Sequence, residues 1–280
     1  MPVRSLFTIS LLLFFCNPSF AQTAQQWVEK ARSYENLHKQ IQYCTIAIQV
    51  DSAYAPAWYF RGVAERILFR YEQAIVDFDR SISLNPGFAP AWDERGLTRR
   101  YQNLYDAALK DFDEAIGLDS GFAEAYIHRG STFVDLAQYE EAERDLDRAI
   151  SINPNLPEAW FLRGNIYYDQ ESYYQAMEAF NHTVSLDPQH IMALNNRGLA
   201  KVRLGKFGEA LPDFEKAVSL DQEYTFGWFN RAIVLTELNR YEEALRMYDR
   251  VLELDPRFSE ATAKREQLAE QLSQFSAETR

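Results

Sequence analysis

The chain has 280 residues, 47% of them hydrophobic and 25% charged, which is a globular composition and excludes a wholly disordered chain. A formal charge of −12 argues against nucleic acid as a partner, because phosphate binding needs clustered lysine and arginine. After Cys16, the only other cysteine is Cys44, so no internal disulfide is expected once the first residues are set apart.

Those first residues read as a separate object. Arg4 precedes an apolar run from Leu6 to Phe15, Pro18 turns the chain, and Ser19-Phe20-Ala21 places small residues where a signal peptidase reads. Residues 1–21 are therefore expected to be a secretory signal cut after Ala21, too short for an ordinary membrane span. Cleavage would remove Arg4 alone among the charges and take the formal charge to −13. The remainder has no transmembrane segment and is expected in the periplasm or another secreted space.

From residue 55 onward one period governs the sequence. Tyr71, Tyr105, Tyr139, Tyr173, Phe207 and Tyr241 are each 34 residues apart. Ala74 to Ala244 keep the same step, as do Gly62, Gly96, Gly130, Gly164, Gly198 and Ala232. Six repeats thus run 55–88, 89–122, 123–156, 157–190, 191–224 and 225–258. Each predicts two helices. The first carries an aromatic such as Trp58 with Gly62. The second carries Tyr71, Ala74, Ile75, Phe78 and Ile82 at helical spacing and stops before Asn85-Pro86. The small residues predict a close approach of the paired helices. Trp58, Trp92, Trp160 and Trp228 are expected to fill the gap beside them, in the core.

Two flanking elements complete the reading. Residues 22–54 keep the phase loosely and predict a degenerate capping repeat, with Cys44 in the core place of Phe78. Residues 259–280 predict a closing helix. Pro212 conflicts with the second helix of its repeat, so that helix is expected to start late, near Gly208, or to kink.

The pattern resembles the tetratricopeptide repeat, shown most completely by Trp160, Gly164, Tyr167, Tyr173, Ala176, Phe180 and Pro188. The resemblance implies an all-α, right-handed superhelical solenoid of stacked helical hairpins, with the first helix of each pair lining a concave face. This chain departs from the pattern in one recurring way. Arg61, Arg95, Arg129, Arg163, Arg197 and Arg231 precede the small residue, and an aspartate follows 16 residues later in four repeats. The expected ion pairs are Arg61–Asp77, Arg95–Asp111, Arg129–Asp145 and Arg197–Asp213. Ala179 and Met247 break the series.

Chemistry is harder to find. His38, His128, His182 and His190 have no metal-ligand spacing, and there is no phosphate loop or nucleophile motif. The expectation is a chain that is not an enzyme and needs no cofactor or metal. Function then falls to the groove, whose places include Phe161, Asn165, Tyr168, Asn196, Phe226, Phe229 and Asn230. By the resemblance, Asn165 and Asn196 stand where chaperone-binding relatives hold a peptide backbone and its terminal carboxylate. Phe161, Phe226 and Asn230 replace the cations of that clamp, which disfavours chaperone tails. The expected partner is a protein or peptide, held extended or as a helix. The alternatives are a glycan or small ligand in the same groove, or an envelope-complex adaptor acting through the convex face.

Overall fold

A computed structural model describes residues 22–278. The expected signal, residues 1–21, lies outside the described residues. Among those described there are fifteen α-helices and no strand. They fall into two compact units that divide after Ser120.

The first unit contains three helical hairpins. They are α1 (Ala24–Arg32) with α2 (Leu37–Val50), α3 (Ala55–Ile67) with α4 (Tyr71–Leu84), and α5 (Ala89–Tyr101) with α6 (Tyr105–Leu118). The second contains four and a closing helix. These are α7 (Ala123–Asp135) with α8 (Tyr139–Ile152), α9 (Pro157–Asp169) with α10 (Tyr173–Leu186), α11 (Ile191–Arg203) with α12 (Phe207–Leu220), and α13 (Thr225–Glu237) with α14 (Tyr241–Leu254), followed by α15 (Ser259–Glu278). Each unit is a stack of hairpins, the local architecture of an all-α repeat solenoid.

The hairpin turn recurs with one geometry and changing chemistry. Phe69, Asn103, Ala137, Glu171, Gly205 and Asn239 all have φ between 56° and 73°. In the first of these turns Arg70 N–H donates to the Glu65 carbonyl and Phe69 N–H to that of Arg66, so the orphan carbonyls at the end of α3 are satisfied. Prolines at the start of α3, α5 and α9 sit where a missing N–H costs nothing. At the other end, Asp51, Asn153, Asp187, Asp221 and Asp255 each accept from the backbone N–H two residues on, which turns the chain into the next hairpin.

The core is a row of large side chains facing small ones. Phe78, Phe112, Leu146, Phe180 and Phe214 are fully buried, with Tyr248 at 2% exposure and Cys44 at the same place in α2. A β-carbon added to Gly62, Gly96, Gly164 or Gly198 would meet the facing phenylalanine ring at 2.5–2.8 Å. The glycines therefore set how closely the paired helices pack. Gly130 faces the slimmer Leu146, and the nearest atom to its added β-carbon lies 3.4 Å away.

Two expectations gain detail. Helix α12 begins at Phe207, one residue before Gly208 and in phase with every other second helix, which leaves Pro212 in its interior. The Pro212 ring is exposed, and the flanking Leu211 and Asp213 are buried, so packing of the same turn holds the helix in place. The tryptophans are partly buried rather than core residues. Trp58, Trp92, Trp160 and Trp228 each donate an indole N–H to the backbone carbonyl six residues earlier, at 2.9–3.0 Å. Because the acceptor is backbone, Ser52, Pro86, Pro154 and Gln222 serve equally well there.

Candidate functional site

The recurring arginine is the first element of the site's surroundings. Arg61, Arg95, Arg129 and Arg197 each reach the aspartate 16 residues on, with closest approaches of 2.5–2.7 Å and the acids almost wholly buried. Each is bidentate, with Nε and Nη2 on the two carboxylate oxygens. Burial pushes the Asp77 carboxyl up, against the hydrogen bond and charge of Arg61 that pull it down. Desolvation of both charges offsets much of the attraction in such a pair, so its geometry is a stronger finding than its net stability.

The same arginines also reach 16 residues backward, into the preceding hairpin. Arg61 donates to Thr45, Arg95 to Asp79, Arg197 to Asn181, Arg231 to Glu215, and Arg265 of α15 to Asp249. Arg163 lies 3.4 Å from Asp147. A single side chain therefore ties its own hairpin together and ties it to the one before. Where the forward acid is missing, the arms are reassigned. Arg163 gives Nε and Nη2 to the Tyr167 hydroxyl, while the buried Nε of Arg231 has no hydrogen-bond partner.

The asparagines come together in the second unit. Asn196 Nδ2 donates to Asn165 Oδ1 at 2.9 Å, Asn195 Nδ2 to Asn196 Oδ1 at 3.1 Å, and Asn230 Nδ2 to Asn195 Oδ1 at 2.9 Å. Four amides thus form one chain across α9, α11 and α13. Asn195 is 4% exposed and anchors it; the other three are partly buried. Each amide has two N–H groups and a carbonyl with two lone pairs, so donors and acceptors remain on this face after the internal bonds are made.

The aromatic places divide. Phe226 is 61% exposed, with its ring edge toward Phe258 at 5.8 Å. Phe161 is partly buried beside Phe180 and His190, and Tyr168 packs on Tyr173 while accepting from Arg203 Nε at 3.4 Å. Phe229 is not available to a ligand. It is 6% exposed and packs between Tyr248 and Phe258 in the core. Ile127 and Asn195 share its place in the repeat and are equally buried, whereas Phe161, at the same place in α9, stays partly buried. The same register shows why Asn195 belongs to the amide chain although Asn196 carries the clearer motif.

No group of three His, Cys, Asp or Glu side chains among the described residues is placed to hold a metal. Two histidines have structural roles. His182 stacks on Trp160 at 4.1 Å, and His190 caps α11 by accepting from Ala193 N–H at its Nδ1.

With this geometry in hand, comparison with known proteins identifies the repeat. Family models described as tetratricopeptide repeat match residues 55–88, 157–190, 193–224 and 226–258, and one described as TPR repeat matches 130–171. Together they cover more than half of the chain. No curated protein matches it. Among solved structures, the APC/C hetero-tetramer Cut9-Hcn1 is similar at a TM-score of 0.70 and 15% identity, over 88% of this chain and 51% of that one. This chain therefore spans about half of that relative's length. Pseudomonas aeruginosa pilF is similar at a TM-score of 0.70 and 16% identity, over 78% of this chain and 98% of that one. YrrB, described as a TPR protein with an unusual peptide-binding site, is similar at 0.58 and 22% identity, over 68% and 97%.

Proposed function

Because the chain belongs to the tetratricopeptide-repeat family, we propose that it is a protein-interaction scaffold whose second unit holds an extended peptide across α9, α11 and α13. The observation that carries this is the chain of four amides, Asn230–Asn195–Asn196–Asn165. An extended peptide presents N–H and C=O groups alternately, and a row of amides with spare donors and acceptors matches that alternation without reading its sequence. YrrB shares the fold and is described with a peptide-binding site; here the peptide is proposed from the amides themselves. The exposed ring of Phe226 offers an apolar contact at the α13 end.

The scaffold is further proposed to work outside the cytoplasm, on the strength of Arg4, the apolar run Leu6–Phe15 and the small residues ending at Ala21. No helix among the described residues is long and apolar enough to cross a membrane. A mature chain beginning at Gln22, read by N-terminal sequencing of envelope-fraction protein, is the expected result; an intact Met1 in that fraction would refute export by cleavage.

Binding is tested at the free end of the amide chain. Asn165 only accepts within it, so Asn165→Ala removes ligand-facing groups while leaving the bonds around buried Asn195 in place. Partners captured from an envelope extract should bind the variant weaker by about 1–3 kcal/mol. Affinity should also resist salt better than a charge clamp would. Equal binding of every partner by parent and variant would move the interaction to another surface, and sugar binding with no protein partner would replace the peptide with a glycan.

A further inference from the structure

Beside Ala179 the second unit holds a cavity of about 200 Å³ that the asparagine face does not use. Its walls include Trp160, Arg163, Tyr167, Tyr174, Ala179 and His182. Ala179 occupies the place of Asp77, Asp111, Asp145 and Asp213, the acids that take both arms of the arginine in four other hairpins. In the α9–α10 hairpin the acid is missing, and Ala179 forms part of the cavity wall where Asp77 lines the equivalent cavity in the α3–α4 hairpin. Arg163 stays in register, lying over the rings of Trp160 at 5.6 Å and Tyr167 at 5.4 Å. Its Nε and Nη2 converge on one neutral oxygen, the Tyr167 hydroxyl, at 3.1 and 3.0 Å.

We propose that this cavity is a carboxylate-binding subsite, in which an acidic group of a partner takes the place that aspartate takes in the other hairpins. A carboxylate offers two oxygens to the Arg163 fork, and charge-assisted bidentate bonding exceeds what a single hydroxyl gives. The Tyr167 hydroxyl keeps its own proton to donate to the same carboxylate. Trp160 and Tyr174, the latter 60% exposed, supply apolar walls for the carbon stem. Three other charged or titratable groups surround the cavity. His182 is stacked on Trp160; Glu178 lies at the rim and accepts from Asn181 at 3.3 Å; Asp147 is 60% exposed and lies 3.4 Å from Nη1, on the other arm of the guanidinium. The two acids lie toward solvent, where their repulsion is screened. The α13–α14 hairpin also lacks the acid, but there the larger Met247 stands in its place and the unbonded Arg231 Nε is inaccessible to solvent.

The test uses the full chain from Gln22 and small probes, followed by NMR at the Trp160 indole and Arg163 Nε–H resonances. Benzoate, N-acetylglutamate 1-amide (a side-chain carboxylate) and N-acetylalanine (a terminal carboxylate) are titrated to tens of millimolar. Saturable shifts of both resonances are expected with benzoate and at least one of the other two, with a Kd on the order of 1 mM. Which of those two binds tells a side-chain source from a chain terminus. Ala179→Asp supplies the missing acid internally, so it should abolish the shifts and raise Tm. Arg163→Gln is the second variant if Ala179→Asp does not fold, and it should also lose binding. Asn165→Ala should bind the probes as the parent does, which keeps this site independent of the peptide-binding face. No saturable shift with any probe, or binding that survives both Ala179→Asp and Arg163→Gln, would overturn the proposal.

Discussion

Arg197 holds Asp213 with both arms of its guanidinium, Nε 3.1 Å from one carboxylate oxygen and Nη2 2.5 Å from the other. Lys201, one turn further along α11, adds a second cation at 2.7 Å. Asp213 is 4% exposed, so this carboxylate has left water and depends on its two partners. The same three-way arrangement occurs in the first unit, where Asp111 takes Arg95 and Arg99.

Asp213→Ala leaves two poorly solvated cations without an acceptor and should cost about 3 kcal/mol in denaturant unfolding. Glu141→Ala breaks a pair whose members are both well exposed and should change stability by less than about 0.5 kcal/mol. Equal effects of the two substitutions would show that burial does not govern these pairs.

Helix approach can be tested at two glycines that look alike in sequence. The β-carbon of Gly164→Ala would lie 2.5 Å from the fully buried Phe180 ring, so α9 and α10 must separate, at a cost of about 1–3 kcal/mol. Gly130→Ala has 3.4 Å of room beside Leu146 and gains helix propensity, so it should stabilise by about 0.5–1 kcal/mol. Melting temperatures that move in the same direction for both variants would contradict this.

Much of the fold is legible in the residues because it rests on one residue type repeated at one step. The glycine–phenylalanine contact and the forward Arg–Asp pair are of that kind. The backward contacts keep the same step of 34, but their acceptors are Thr45, Asp79, Asp147, Asn181, Glu215 and Asp249. Hydroxyl, amide and carboxylate all accept from arginine, so geometry repeats while chemistry does not. The turns behave likewise, with φ near 60° carried by Phe69, Ala137 and Glu171 as well as by Gly205. The burial of Phe229 is not legible in this way. Its place on a first helix is covered by Tyr248 of α14 and by Phe258, just before α15, which helical periodicity within α13 alone does not reveal.

Cys44 gives a chemical readout of the first unit. The thiol is fully buried, and burial pushes its pKa from 9.0 to about 12. Two consequences differ in sign. Near pH 8 a thiol reagent should react with Cys44 of the folded protein only as fast as the first unit opens, and at the free-thiol rate in denaturant. Between pH 9 and about 12 the unfolded chain loses the thiol proton and the folded chain keeps it, so stability falls as pH rises. Cys44→Ala should remove that part of the alkaline slope. Rapid labelling of the native protein at pH 8 would show that the thiol is not enclosed.

Pro212 leaves one helical hydrogen bond unmade. Helix α12 runs from Phe207 to Leu220, so the residue at 212 should donate to the Gly208 carbonyl, and proline has no N–H to give. The helix nevertheless starts in register, because Ala210, Leu211, Phe214 and Ala217 on the same turns are buried. Tertiary packing thus overrides a local conflict. Pro212→Ala restores the missing donor at an exposed position, where no side-chain packing is lost. It should stabilise the second unit by about 1–3 kcal/mol, up to the ordinary penalty for an interior proline. Chemical denaturation gives the magnitude, and hydrogen exchange gives the location: the amide that the substitution introduces at position 212 should be protected to about the same degree as its neighbours in α12. An unprotected amide there, or a variant no more stable than the parent, would mean that the turn around Gly208 is open for a reason other than proline, and the account of how α12 tolerates it would fail.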